Sequence, residues 1–192
     1  MTILIGIGVL VFLIIAALAF IATRPADFRI ERSAQVDAPR DVVFSVINDL
    51  RRWSEWSPYD KRDPNMKKTF EGASSGPGAI YTWSGNNQVG EGRMTIAASK
   101  PGELVSMKLE FSRPFKCTNE VNFKLAPSGG GTRVSWIMDG KNNFMTKAMS
   151  LFMNMDKMVG KDFEQGLVNL DRVAQAASSK AQEGKAARAA TH

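Results

Sequence analysis

Val105-Ser106-Met107-Lys108-Leu109-Glu110-Phe111 sets four apolar side chains on one side of an extended chain and Ser, Lys and Glu on the other. This is the period-2 signature of a strand with one buried face. The same alternation recurs downstream as Val121, Phe123 and Leu125, then as Val134, Trp136 and Met138. Upstream it appears as Tyr81 and Trp83, then as Met94 and Ile96. Turn residues separate the runs at Gly76-Pro77-Gly78, Gly85-Asn86-Asn87, Lys100-Pro101-Gly102 and Ser128 to Gly131. From Met66 to Asp139 the spacing predicts an antiparallel meander with one apolar face, and that face needs a cover.

The cover lies next in the chain. Phe144 to about Ala177 lacks proline and carries Phe152, Val159, Phe163, Leu167, Leu170 and Ala174 along a helical stripe, with Met155 and Met158 beside it. One long helix is predicted to lie across the sheet. Residues 178–192, rich in Ala, Lys and polar residues without a continued stripe, read as a flexible tail ending in His192.

On the other side of the meander, Phe28, Ile30, Ala34 and Val36 alternate with Arg29, Glu31, Ser33 and Gln35, a further strand whose apolar side Arg32 interrupts. Asp37-Ala38-Pro39 supplies a capping acid and a first-turn proline for a short helix carrying Val43, Ile47 and Leu50. In Trp53-Ser54-Glu55-Trp56-Ser57-Pro58-Tyr59 the aromatics stand three apart, on one face if helical, until Pro58 stops the element. The two tryptophans either form the lip of a pocket or pin the helix to the sheet.

Ile3 to Ala22 is an uncharged apolar run, and about 20 such residues at 1.5 Å rise span a hydrocarbon core of ~30 Å. Residues 1–24 therefore read as a transmembrane anchor. A cleaved signal peptide is the rival, since Ala17-Leu18-Ala19 resembles a cleavage site, but no Lys or Arg forms an n-region. The nearby positive residues, Arg24, Arg29 and Arg32, all follow the run, which predicts a domain on the cytoplasmic side. After a connector broken by Pro25, residues 25–177 form one domain of ordinary size.

Composition removes several chemistries. The single cysteine, Cys117, excludes an internal disulfide framework, and the single histidine, His192, argues against zinc sites and histidine-based nucleophilic catalysis. Gly90-Glu91-Gly92 and Gly129-Gly130-Gly131 open no helix and carry no P-loop lysine, so neither predicts a phosphate cofactor. No cofactor and no metal are expected. The formal charge of +6 comes without a dense basic run interleaved with aromatics, which disfavours nucleic acid and suits an anionic membrane surface.

The order strand, helix, Trp-rich short helix, about six strands and long C-terminal helix resembles the helix-grip fold of the START-like (SRPBCC) superfamily. Four stretches narrow the likeness to its polyketide cyclase/dehydrase and lipid-transport family: Asp37 to Phe44, Trp53 to Pro58, Gly90 to Met94 and Met155 to Glu164. The resemblance runs from about Phe28 to Ala177 and implies an α+β domain, a curved antiparallel sheet around the long C-terminal helix with a hydrophobic cavity between them. Candidate lining residues are Trp53, Trp56, Tyr81, Trp83, Met107, Phe111, Phe123, Trp136, Met138, Met155 and Met158. Each is also a side chain that a packed core uses. Trp136 and Met158 are expected to face each other across the cavity, and six of the 10 methionines fall from Met138 to Met158, where flexible thioethers suit variable apolar shapes.

Polar candidates are few. Asn119 shares the parity of Val121 and Phe123, so its amide is placed either to orient a ligand or to satisfy nearby backbone. Tyr81 offers a phenolic donor. Asp60, Glu91 and Asp139 read as solvated, and Asp156 and Asp162 as ion-paired along the helix with Lys157 and Lys161. No catalytic constellation emerges. The leading expectation is a non-catalytic, membrane-tethered module that binds a lipid or another hydrophobic small molecule. The alternatives that the resemblance implies are a polyketide cyclase/aromatase-like enzyme and a protein-interaction module like its co-chaperone relatives.

Overall fold

A computed structural model describes residues 2–142, 144–151 and 154–189. Phe152, Met153 and His192, which the sequence reading used, lie outside the described residues. The apolar run forms helix α1 (Thr2–Thr23). Its Ile5–Thr23 span is long and apolar enough to cross a membrane and has no buried share; a signal sequence has the same character.

Seven antiparallel strands follow: β1 (Asp27–Val36), β2 (Lys67–Gly72), β3 (Ala79–Ser84), β4 (Glu91–Lys100), β5 (Leu104–Arg113), β6 (Cys117–Ser128) and β7 (Gly131–Lys141). The sheet order is β1-β7-β6-β5-β4-β3-β2, so six strands meander and the first pairs with the last. Register fixes two ends. Asp27 pairs with Lys141 at the end next to α1, and Val36 pairs with Thr132 at the far end. Register shifts in β4 at Glu91/Gly92 and Ile96/Ala98 act as bulges, which bend a strand and increase its twist.

Between β1 and β2 lie α2 (Arg40–Ile47), one 3-10 turn (Leu50–Arg52) and α3 (Trp53–Trp56). Pro39 rather than Asp37 occupies the N-cap of α2, without a side-chain cap. The Asp37 N–H instead donates to the Asp171 carboxylate at 2.8 Å, tying the strand exit to the long helix. Val43, Val46 and Ile47 of α2 are fully buried and fill the far half of the sheet's concave face.

The expected single C-terminal helix is two helices, α4 (Phe144–Met149) and α5 (Met155–Ala189). Asn154 ends the break by capping α5: its side-chain oxygen accepts from the Lys157 N–H at 2.9 Å, and its carbonyl accepts from the Met158 N–H. Phe163, Leu167, Leu170 and Ala174 are buried against the sheet and α2 at helical spacing. Each large side chain among them contributes about 1.5–3 kcal/mol of apolar burial. Helix α5 also runs past residue 178, where the sequence reading placed a tail, because Ala, Lys, Glu and Arg sustain a helix without a partner face.

Candidate functional site

A cavity of about 450 Å3 lies between the concave face and α5, within the range of small-molecule sites. Its lining includes Phe28 and Ile30 of β1, Met138 and Trp136 of β7, Asn119 and Val121 of β6, Leu109 and Phe111 of β5, Met94 of β4, and Tyr81 and Trp83 of β3. Met155, Met158, Val159 and Phe163 line it from α5. In the sheet register these strand positions belong to the half beside Asp27 and Lys141. The half under α2 is solid.

Nine of the twelve residues expected to line a pocket do so: Trp53, Tyr81, Trp83, Phe111, Asn119, Trp136, Met138, Met155 and Met158. Trp56, Met107 and Phe123 do not; they are 1%, 0% and 0% exposed and belong to the packed core. Phe123 stands edge-on to both Trp53 and Trp56, with ring centroids at 5.7 and 5.9 Å. Met107 pairs in register with Val121 and Ile96, at the boundary between the hollow and solid halves.

Trp53 lines the cavity, its indole N–H donates to the Ile47 carbonyl at 3.0 Å and ties α3 to the end of α2, and its ring stands edge-on to Phe123 and Trp136 of the sheet. Trp136, expected to face Met158, lines the cavity together with it. It stacks on Phe163 of α5, centroids 4.1 Å apart and planes 8° from parallel. Gly166 permits this, since a Cβ there would meet the Trp136 ring at 2.6 Å. Met158, 44% exposed, stands at the outer rim. The Trp56 and Trp136 indole nitrogens are buried without an acceptor among the described residues.

The carboxylates in the lining, Asp60, Asp156 and Asp162, are paired across elements. Asp162 of α5 pairs with Arg62 and accepts from the Tyr59 hydroxyl, while Arg62 lies over the Tyr59 ring at 5.3 Å. Burial, and then the Asp162 charge, hold the Tyr59 phenol protonated above its ordinary range. Asp60 is largely buried and bound by Lys68 at 2.6 Å, so it is not the solvated carboxylate expected. Asp156 and Asp162 likewise find arginines in other elements, not neighbouring lysines. Sequence periodicity carries no signal for such cross-element partners, although Tyr59 is the last aromatic of the Trp-rich stretch.

Of the neutral polar side chains in the lining, Tyr81 and Asn119 stand on the strands, while Ser57, Tyr59, Gln88, Asn142, Thr146 and Ser150 come from segments outside the sheet. Tyr81, stacked between Phe70 and Trp83, has its phenol shifted upward by burial and then by the Asp60 charge, so it stays a donor. Asn119 is buried, bonds with the Cys117 thiol, and finds room for its amide where Gly140 has no side chain. Burial raises the Cys117 thiol, which opposes nucleophilic use. Among the described residues no group of three or more His, Cys, Asp or Glu is placed to hold a metal. The arrangement is suited to enclosing an apolar body and hydrogen-bonding its neutral polar groups.

A family model described as polyketide cyclase / dehydrase and lipid transport matches residues 27–175. Solved structures share the fold at low identity. One is a protein of Thermus thermophilus, 17% identical, with a TM-score of 0.58 over 79% of this chain and 99% of that one. The di-domain ARO/CYC StfQ from the steffimycin biosynthetic pathway is 12% identical, with a TM-score of 0.57 over 82% of this chain and 52% of that one. The Aha1 dimer from Colwellia psychrerythraea is 11% identical, with a TM-score of 0.53 over 75% of this chain and 93% of that one. No curated protein sequence matches the chain.

Proposed function

Since the chain belongs to the polyketide cyclase / dehydrase and lipid transport family, we propose that it is a membrane-tethered, non-catalytic cup for a lipid or another hydrophobic small molecule. The observation that carries this reading is the cavity itself, walled by aromatic, aliphatic and methionine side chains. Its carboxylates Asp60, Asp156 and Asp162 are already paired with Lys68, Arg32 and Arg62. A base that must take a proton from a substrate is better left open to it. Anchoring by α1, with the domain on the cytoplasmic side, completes the proposal; the uncharged Ile5–Thr23 span supports the anchor and the arginines after it support the side.

Tyr81 and Asn119 favour one further reading, a cyclase-like step in which they hold a carbonyl of a polyketone chain. The test is mass spectrometry of small molecules copurifying with the detergent-extracted full chain. One hydrophobic species at near-unit stoichiometry, lost on replacing Trp83 by a charged residue, is the expected result. Conversion of a polyketone chain to a ring by the purified protein would establish the enzyme reading instead.

A further inference from the structure

Outside α1, six large hydrophobic side chains among the described residues stand well exposed: Phe115, Phe144, Leu151, Met155, Met158 and Val168. Four fall between 144 and 158, the segment that joins β7 to α5 across the cavity. Phe144 is 50% exposed, Leu151 37%, Met155 36% and Met158 44%. Phe115 lies in the β5–β6 turn just beyond the Phe111–Cys117 pair, at the same end of the sheet. Only Val168, midway along α5, stands apart.

This apolar end is fixed beside the end of α1. The Lys147 ammonium donates to the Ala22 carbonyl at 3.2 Å, and the Asn142 N–H donates to the Ala26 carbonyl at 2.6 Å. Three residues, Arg24 to Ala26, join α1 to β1, and three extended residues reach at most about 10 Å. Thr146, Ser150, Met155 and Met158 also line the cavity, so the exposed segment is its rim.

The geometry points to this rim as a membrane-contacting surface: Phe144, Leu151, Met155 and Met158 enter the interfacial layer of the bilayer crossed by α1, and the cavity opens toward lipid. The inference rests on the tethered reading above. A span of this length leaves the start of β1 within the headgroup region, which is where Phe144, Leu151, Met155 and Met158 then sit. Apolar side chains gain by leaving water there, and Arg24, Lys141, Lys147 and Lys157 nearby complement anionic lipid. A ligand then passes between bilayer and cavity without crossing bulk water.

The test uses the full chain reconstituted in vesicles of phosphatidylcholine and phosphatidylglycerol, with or without bromine on the upper acyl carbons. Phe144→Trp and Leu151→Trp each add a fluorophore at the rim; Val168→Trp adds one on the exposed face of α5 as the comparison. Flotation with the vesicles reports the tether independently. The expected result is flotation of all variants, with bromine quenching the added emission at 144 and 151 severalfold more than at 168. Equal quenching at all three positions in floating protein overturns the rim proposal and leaves the tether standing. Rim emission that ignores bromine but shifts with protein density in the vesicles also overturns it and assigns the patch to a second copy. Failure to float overturns the tether and this proposal together.

Discussion

The guanidinium of Arg32 rests against Gly160, where a Cβ would collide with it. From that position it donates to the Asp156 carboxylate at 3.0 and 3.1 Å, to the Asp156 carbonyl at 3.0 Å and to Glu164 at 2.9 Å. The arginine that interrupts the apolar side of β1 is thus the latch between the edge strand and the first turns of α5, and Gly160 is the seat it needs. Gly160→Ala pushes the flexible end of Arg32 away and breaks these bonds, while alanine favours the helix by about 0.8–1 kcal/mol over glycine. Exposed pairs of this kind are worth about 0–1 kcal/mol. The expected outcome in urea denaturation of a chain starting at Ala26 is a net change within about 1 kcal/mol at neutral pH, with a loss of salt dependence.

The same latch sets an acid response. The hydrogen bond from Arg32 holds the Asp156 carboxylate below its ordinary value of 3.8. A depressed folded-state value means that the contribution to stability is fully present above that ordinary value and is lost as pH falls through the lower, folded one. Asp156→Asn and Gly160→Ala should therefore both flatten the acid limb of a stability-against-pH curve. An unchanged acid limb in both variants would count against the latch.

Trp136 and Met158 separate the packed wall from the rim. Trp136 is stacked on Phe163 and also edge-on to Trp53 and Trp56 at 6.3 and 5.5 Å. Trp136→Ala is expected to cost about 3–5 kcal/mol, the full loss of a packed aromatic. Met158→Ala should cost about 0.5 kcal/mol or less while weakening binding of an apolar probe. Chemical denaturation alongside probe titration reads both.

The full chain should sediment with membranes and resist carbonate extraction, and a chain starting at Ala26 should be soluble and folded. The basis is that none of the Ile5–Thr23 span is buried in the fold, so removing it exposes no core. Recovery of a processed chain lacking this span in the soluble fraction would identify a signal sequence instead.

Side-chain parity was legible, and with it the sheet: Tyr81, Trp83, Phe111, Asn119, Phe123 and Trp136 all point to the concave face, as period-2 alternation predicts. Height along the strand was not. Phe123 and Val121 share a parity, yet Val121 borders the cavity and Phe123 fills the core, because α2 and α3 cover one half of the sheet and not the other. That depends on helix placement, which alternation does not encode. The break before α5 was not anticipated: its cap, Asn154, lies inside the single helix that the apolar stripe predicted. The partners of Asp156 and Asp162 were unreadable, since Arg32 and Arg62 lie 124 and 100 residues away.

Tyr81 is where the cavity's ligand preference is most directly tested. Its hydroxyl is kept protonated by burial and by the Asp60 charge, and its ring is held by stacking on Phe70 and Trp83 at 5.2 and 5.7 Å. Tyr81→Phe keeps that stacking and removes only the donor. A ligand bearing a carbonyl or hydroxyl should lose about 0.5–1.5 kcal/mol of binding, up to roughly tenfold in affinity, whereas a hydrocarbon probe of similar size should bind unchanged. Stability should barely move, because the packing of the ring is left intact. Competition between the two probe types on wild type and variant separates the outcomes. An equal loss for both would mean that the substitution reshapes the cavity, and no loss for either would place the ligand's polar group at another polar side chain of the lining, such as Asn119.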